Sequence, residues 1–162
     1  MKLKLITTFY INNVSETKSE TLELKPDDGI EWNVVNIYPQ MEYQTFEGFG
    51  GAVTEASAYV YSLMGENDKK KLLDAYFGKN GHRYRIVRTH IDSCDFSLSQ
   101  YEAMSDKNDT GMKTFSLARD EKYIIPLLQD LKEVAGNDLE ILLSPWSPPA
   151  FMKTNGNRCF GG

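Results

Sequence analysis

The sequence has no apolar run that approaches the roughly 20 residues needed to cross a membrane, and it holds only two cysteines. Cys94 and Cys159 form neither a C-x-x-C pair nor a zinc-ligand spacing, which predicts reduced, partly buried thiols. The N-terminal segment MKLKLITTFYINN has basic residues but no unbroken apolar stretch and no small-residue cleavage site. We therefore expect no signal peptide, no integral membrane segment and a cytoplasmic location.

Positive charge and cofactor motifs are also scarce. The chain has 18 basic and 23 acidic residues and a net charge of −5, which does not favour a nucleic-acid partner. A glycine cluster at 48–51 invites a dinucleotide interpretation, but G-x-G-x-x-G fails at Val53 and no Walker-type lysine follows. There is no G-x-S-x-G elbow, and His90 and Asp92 have no second group of ligands for a metal. We expect neither a cofactor nor a metal.

The pattern of the chain changes near residue 43. Before it, stretches rich in β-formers predict strands at 3–11, 21–24 and 32–38, with a turn at 26–29. No helical period occurs in this part. Residues 1–42 are therefore predicted to be N-terminal β-strands, and residues 43–162 a separate α/β region.

Strands and helices alternate in the second region. The predicted elements are, in order, a strand at 43–49, a helix capped by Thr54, a helix from 67 or 68 that stops at Gly78, a strand at 85–91, an amphipathic helix at 123–134 ending at Gly136, and a buried strand at 139–143. Pro126 lies inside the last helical pattern, so it either kinks that helix or marks its first turn. This order indicates a parallel sheet, either doubly wound or the start of a (β/α)₈ barrel.

Each predicted parallel strand ends in a distinctive segment. These segments are GFGG (48–51), HIDSCDFS (90–97) and SPWSPP (144–149). The carboxyl ends of parallel strands lie at one edge of a sheet, where function collects in such folds. We expect the three segments to lie close together.

Charged and aromatic side chains accompany two of these ends. Arg88 lies within the second strand, and Asp92 and Asp95 follow it. A buried charge needs a partner or a ligand, so the group is either an Arg–Asp ion pair that holds the loop or a substrate contact. Trp146 is either a core aromatic under its loop or a platform for a sugar ring. Together these groups suit a hydroxyl-rich ligand.

Three longer stretches carry a resemblance to a known family. They are QTFEGFGGAVTEAS (44–57), RTHIDSCDFSLSQY (88–101) and LLSPWSPPAFMKTNG (142–156), and S-C-D-F-S and S-P-W-S-P-P are their specific signals. In this order they resemble glycoside hydrolase family 30, which includes glucosylceramidases, β-xylosidases and β-1,6-glucanases. The resemblance covers the chain from about residue 43 to its end.

The resemblance implies a fold. The family has a (β/α)₈ TIM barrel with a side β-domain, so residues 1–42 would supply strands of that side β-sandwich domain and residues 43–162 the first three β/α units of an incomplete barrel. Segments 48–52, 92–97 and 144–149 would be the loops after barrel strands one, two and three.

The resemblance also implies roles for three residues. Asp95 resembles the family's aspartate that hydrogen-bonds sugar hydroxyls, and Trp146 resembles the tryptophan that lines the glycone subsite. Arg88 resembles an arginine held near the nucleophile, where it would favour the ionised form of that group. The implied partner is a carbohydrate or glycoside substrate.

The catalytic pair of the family has no counterpart here. Retaining glycosidases use two carboxylates about 5–5.5 Å apart. In the family one is the glutamate of an Asn-Glu-Pro segment after strand four and the other a glutamate after strand seven. The sequence contains no Asn-Glu-Pro. We therefore expect no catalytic residue in this chain, which would be the N-terminal part of a retaining β-glycosidase, without the C-terminal part of the barrel and inactive alone.

Two other hypotheses stay open. The chain could be a non-catalytic carbohydrate-binding or interaction module derived from such an enzyme. It could also be a small α/β protein of unrelated function, in which a buried pair of Arg88 and Asp95 is structural.

Overall fold

The computed structural model of the protein describes residues 2–26, 29, 33 and 35–161. The chain divides into two compact units, Met1–Gln44 and Thr45–Gly162.

The first unit is built on a β-hairpin. Strand β1 (Lys2–Ile11) pairs antiparallel with strand β2 (Val14–Glu23), and Ile11 lies opposite Val14. Asn12 and Asn13 form the two-residue turn with φ angles of 51° and 63°, a left-handed geometry that matches the twist of a hairpin. Because asparagine tolerates this geometry, the second strand starts at residue 14 rather than at the predicted 21.

The predicted strand at 32–38 lies only partly within the described residues. Trp32 and Val34 lie outside the described residues, and residues 35–38 are not part of a strand.

The second unit contains a three-stranded parallel sheet with helices between its strands. The strands lie in the order β3, β4, β5, and their bounds are Gly50–Val53, Ile86–Ile91 and Glu140–Pro145. Helices α1 (Glu55–Ser62) and α2 (Glu66–Tyr76) connect β3 to β4, and helix α3 (Ile124–Ala135) connects β4 to β5. Short 3₁₀ turns lie at Asp120–Lys122, Gly136–Asp138 and Ala150–Met152. The predicted alternation of parallel strands and helices is therefore confirmed.

The first parallel strand lies later than predicted. The strand at 43–49 and the loop at 48–52 are wrong, because the strand itself is Gly50–Val53. A Cβ atom at Gly50 would lie 1.9 Å from the carbonyl oxygen of Ile86, so only glycine fits where β3 meets β4. The aromatic side chains that suggested an earlier strand, Phe46 and Phe49, are exposed.

The core lies between the sheet and the helices. Its buried apolar side chains are Val53, Ala58, Tyr61, Leu73, Val87, Ile124, Leu127 and Leu131. The spacing of the last three residues places them on one face of α3. Pro126 is the third residue of this helix, where its missing N–H has no intrahelical acceptor, so the first-turn interpretation is confirmed. Thr54 caps α1 as predicted and forms a capping box with Ser57.

Strand β5 is exposed, although its apolar sequence predicted burial. Ile141, Leu142 and Leu143 are exposed by 42%, 56% and 59%. Within the described residues β5 pairs with β4 alone, and the sheet does not close into a barrel. No helix in this part of the chain has the length and apolar character to cross a membrane.

Replacing Gly50 with alanine should destabilise the second unit. The new methyl group would collide with backbone at Ile86, which cannot move as a side chain can, and overpacking of this kind costs about 1–3 kcal/mol. Gly51→Ala is the matched control, since a Cβ there meets only the Tyr84 ring at 3.7 Å. Urea unfolding of both variants measures the difference, and equal midpoints would contradict the close approach.

Candidate functional site

Residues from all three strand ends line one cavity. The parallel register places Val53 beside Thr89 and Ile91 beside Pro145, so the chain leaves β3, β4 and β5 at the same edge of the sheet. The cavity measures about 160 Å³, and its lining residues are Ala52, Val53, Thr54, Arg88, Thr89, His90, Cys94, Phe96 and Trp146. It is smaller than the roughly 300 Å³ at which ligand pockets usually begin.

Arg88 and Trp146 are in direct contact in this cavity. The guanidinium carbon of Arg88 lies 4.7 Å from the centroid of the indole ring, within the range of a cation–π contact. Arg88 Nη2 also donates a hydrogen bond to Ser144 Oγ at 2.9 Å. Trp146 remains 44% exposed, so it is not a core aromatic. The interpretation of Arg88 as a buried partner of an aspartate is wrong, because Arg88 is exposed and contacts Ser144 and Trp146.

Asp95 lies beside the cavity rather than in its lining. It occupies a tight turn in which Ser97 N–H donates to the Cys94 carbonyl at 3.0 Å and Cys94 N–H donates to Ser97 Oγ at 3.0 Å. The Asp95 side chain is exposed and has no hydrogen bond or ion pair with the residues described. Its chain neighbours Cys94 and Phe96 both line the cavity.

Asp92 has a structural role instead. It is largely buried, adopts a left-handed φ of 59°, and its Oδ1 accepts the N–H of Ala103 at 2.8 Å. The carbonyl of Asp92 accepts a hydrogen bond from His90 Nδ1, and His90 Nε2 accepts the N–H of Glu55 at 3.2 Å. These two partners make Nδ1 of His90 the donor of the ring and Nε2 its acceptor.

Glu55 is the buried acidic residue that sequence reasoning left without a role. Its side chain is completely buried, its two oxygens accept hydrogen bonds from Arg119, and its Oε2 also accepts the N–H of Leu98 at 2.8 Å. The next residue of α1, Ala56, donates its N–H to the Phe96 carbonyl at 3.0 Å. The first turn of α1 therefore holds the segment that contains Asp95 in place through hydrogen bonds to Phe96 and Leu98. An acidic residue after an N-cap is ordinarily a surface feature, and a partner 64 positions away gives no sequence signal.

The surroundings of Glu55 keep it ionised. Burial works to raise its pKa, but the hydrogen bonds from Arg119 and Leu98 outweigh burial and hold the pKa below its ordinary value. Such a carboxylate is unsuited to act as a general acid. Burial and a 2.7 Å hydrogen bond to Asp120 raise the pKa of Tyr101, so that phenol, unlike Glu55, stays protonated.

The cysteines and other possible ligands form no metal centre in the described part of the chain. Cys94 is partly buried, whereas Cys159 is exposed rather than partly buried, and both are free thiols. No group of three or more His, Cys, Asp or Glu side chains among residues 2–26, 29, 33 and 35–161 could hold a metal ion.

Parallel strands joined by helices, with residues from several strand ends around one cavity, are the arrangement found in TIM-barrel enzymes. Residues 46–162 match the model of the glycosyl hydrolase family 30 TIM-barrel domain. The chain belongs to this family.

Curated relatives and solved structures agree with this assignment. The lysosomal acid glucosylceramidase of Mus musculus is 36% identical over 76% of this chain and 24% of its own length. An endo-1,6-beta-D-glucanase of Neurospora crassa is 29% identical over 80% of this chain and 28% of its own length. The crystal structure of SrfJ from Salmonella typhimurium is 32% identical, with a TM-score of 0.79 over 97% of this chain and 35% of that one. The chain thus spans about a quarter to a third of the length of these proteins.

Replacing Glu55 with glutamine tests the electrostatic part of the site. Because the pKa of Glu55 is lower in the folded than in the unfolded chain, its ion pair stabilises the fold above the ordinary value of 4.5, and this stabilisation is lost as the pH falls through the lowered pKa. Glu55→Gln should lower the free energy of unfolding at pH 7 by about 1–3 kcal/mol and should flatten its fall below pH 5.

Urea unfolding between pH 3 and pH 7 measures both effects. Glu66→Gln is the matched control, since Glu66 forms an exposed pair with Lys69 and its loss should change stability by less than about 1 kcal/mol. A Glu55→Gln curve that falls with acid as steeply as the wild-type curve would show that Glu55 is not held ionised by its partners.

Proposed function

We propose that this chain supplies part of the sugar-binding wall of a retaining β-glycosidase of the glucosylceramidase type, which hydrolyses β-glucosides or related sugars. The observation that carries the proposal is the cavity in which Arg88 stacks on an exposed Trp146 at the carboxyl edge of a family 30 sheet. The mouse relative is a glucosylceramidase and the Neurospora crassa relative is an endo-1,6-beta-D-glucanase, and enzymes of both kinds are glycosidases. Which β-linked sugar is cleaved depends on subsites beyond this wall.

Each residue of the wall has a proposed task. The face of the Trp146 indole that Arg88 does not cover packs against the C–H face of a sugar ring. The free carboxylate of Asp95, which lies between the cavity residues Cys94 and Phe96, accepts hydrogen bonds from sugar hydroxyls. Arg88 keeps the indole in one orientation, and its positive charge favours the ionised form of a carboxylate nucleophile brought close to it.

The catalytic carboxylates are proposed to lie outside this chain. Retaining hydrolysis needs an acid/base and a nucleophile about 5–5.5 Å apart. The completely buried carboxylate of Glu55, which directly follows the cavity residue Thr54, already accepts three hydrogen bonds and stays ionised, so it serves neither role. The missing partner is the C-terminal part of the barrel, which would cover the exposed apolar face of β5.

The N-terminal hairpin is proposed to be part of a side β-domain. An isolated two-stranded hairpin is only marginally stable, and this one exposes Ile6, Phe9 and Ile11. The similarity to SrfJ extends over 97% of the chain and so includes the hairpin. The cytoplasmic location expected from the sequence stays a prediction.

The purified chain should not hydrolyse aryl β-glucosides or aryl β-xylosides. Without a pair of carboxylates at the required spacing, no covalent glycosyl intermediate can form. Release of 4-nitrophenol from 4-nitrophenyl β-D-glucoside and β-D-xyloside measures this, with buffer as the reference. Hydrolysis above the buffer rate by the 162-residue chain would show that a catalytic pair is already present.

The same chain should bind a simple glycoside weakly through Trp146 and Asp95. We expect Trp146→Ala and Asp95→Asn each to weaken binding of methyl β-D-glucoside by about tenfold or more, because they remove the stacking surface and a charged acceptor. Titrations followed by ¹H–¹⁵N NMR measure the dissociation constants. Asp74→Asn is the matched control, since Asp74 is exposed on α2. Equal affinity of all three variants would contradict the assigned wall.

The nucleotide sequence after codon 162 distinguishes the enzyme from the alternative, a non-catalytic carbohydrate-binding module. An in-frame Asn-Glu-Pro codon run within about a hundred codons after codon 162 would favour the enzyme, since a barrel of this type needs about 250 residues. A stop codon there, together with a stably folded chain that binds sugar, would favour the module.

A further inference from the structure

Arg158 is a buried arginine outside the apolar core. Its side chain is only 9% exposed, and it lies 12 positions after Trp146. A buried guanidinium is costly unless its charge and its donors are paired. What it pairs with therefore indicates its role.

The contacts of Arg158 come from the two loops that carry the proposed wall. We call residues 92–119 the β4 loop and residues 146–161 the β5 loop. Nη1 of Arg158 donates to Glu102 Oε2 at 2.9 Å and to the Tyr101 carbonyl at 3.2 Å, and it lies 3.9 Å from Asp92 Oδ2. All three of these partners belong to the β4 loop.

The other end of the guanidinium points into the β5 loop. Nη2 donates to the carbonyl of Ser147 at 2.9 Å, and Ser147 directly follows Trp146. The planar fork of one arginine thus spans the distance between the β4 loop and the start of the β5 loop. Among the described residues, the buried Nε of Arg158 has no hydrogen-bond partner. All side-chain hydrogen bonds of Arg158 are therefore made by its two terminal nitrogens, Nη1 and Nη2.

The β4 loop is held from its other side by Glu55. Glu55 fixes the loop near Leu98, and Arg158 fixes it at Asp92, Tyr101 and Glu102. Glu55 makes no hydrogen bond to the β5 loop, whereas Arg158 bonds to both loops. Arg158 therefore bridges the two loops, which Glu55 does not.

We propose that Arg158 is a positioning residue that sets the distance between Asp95 and Trp146. It does not line the cavity, so it acts through the β4 loop and the β5 loop rather than by touching a sugar. The proposal rests on the assignment of Asp95 and Trp146 to the sugar-binding wall. Lysine would not replace it, because an ammonium is a single point charge and cannot donate in two opposite directions at this spacing.

Two variants and one control test the proposal by NMR on the full chain. Arg158→Met removes the charge, and Arg158→Lys keeps the charge but not the fork. Arg85→Met is the control, since Arg85 is exposed and its hydrogen bonds are made by its backbone. The amide resonance of Asp95 and the indole resonance of Trp146 report on the two loops, and those of Val87 and Leu131 report on the core.

Both Arg158 variants should shift the Asp95 and Trp146 resonances and leave the core resonances in place. Both should also weaken binding of methyl β-D-glucoside by about tenfold, and Arg85→Met should change neither. If the wild-type chain binds no glucoside, the proposed sugar-binding wall is contradicted. The shifts of the Asp95 and Trp146 resonances still show whether Arg158 positions the two loops. If the wild-type chain binds and both Arg158 variants bind equally well with unshifted loop resonances, the positioning role is overturned.

If the Arg158 variants do not fold, a measurement on the wild-type chain tests the proposal instead. A guanidinium that bridges two loops has slowly exchanging Nη hydrogens, which are visible by NMR at low temperature. Slow exchange of the Arg158 Nη hydrogens in the wild-type chain would support the bridge, and exchange as fast as that of exposed Arg85 would overturn it.

Discussion

A completely buried carboxylate at the start of α1 ties the sheet, the helices and the loops of the site together. Glu55 accepts hydrogen bonds from Arg119 and Leu98, and its own N–H reaches His90 on β4. A buried charge is tolerated only when its acceptors are satisfied, so the loop must return to this point each time the chain folds. The position of Asp95 follows from that requirement, because it lies three residues before Leu98.

The acidic residues around the cavity divide into two kinds. Asp92 and Glu55 are buried and paired, and their negative charge is used to hold backbone N–H groups of the long loop. Asp95 is exposed and, within the described residues, has no partner. A carboxylate that the fold does not use is the one available to a ligand, which is the physical basis for proposing Asp95 rather than Asp92 as a sugar-binding residue.

Strand β5 exposes apolar side chains to solvent. Ile141, Leu142 and Leu143 have the composition of a buried parallel strand, yet all three are exposed. Within the described residues β5 has an unpaired edge and exposed apolar side chains, and such a strand is prone to association unless another element covers it. The proposed C-terminal part of the barrel would cover β5 and would also bring the catalytic carboxylates to the Arg88–Trp146 wall.

The sequence by itself determined the order of the parallel strands and helices and the family of the second unit. Local rules were sufficient there: the apolar spacing of α3, the Thr54 cap and the first-turn position of Pro126 are all properties of neighbouring residues. The same rules failed at the first parallel strand, because the strand begins where Gly50 fits against Ile86, a residue 36 positions away.

Only the tertiary structure decided which charges pair. Arg88 contacts Trp146 rather than an aspartate, while Glu55 reaches Leu98 and Arg158 reaches Glu102, each across more than forty positions of the chain. Sequence periodicity records which face of an element is apolar, and it contains no information on which distant polar groups meet across that face. Those pairings depend on the register of β4 with its neighbours and on the return path of the long loop, and both are fixed only when the chain is folded.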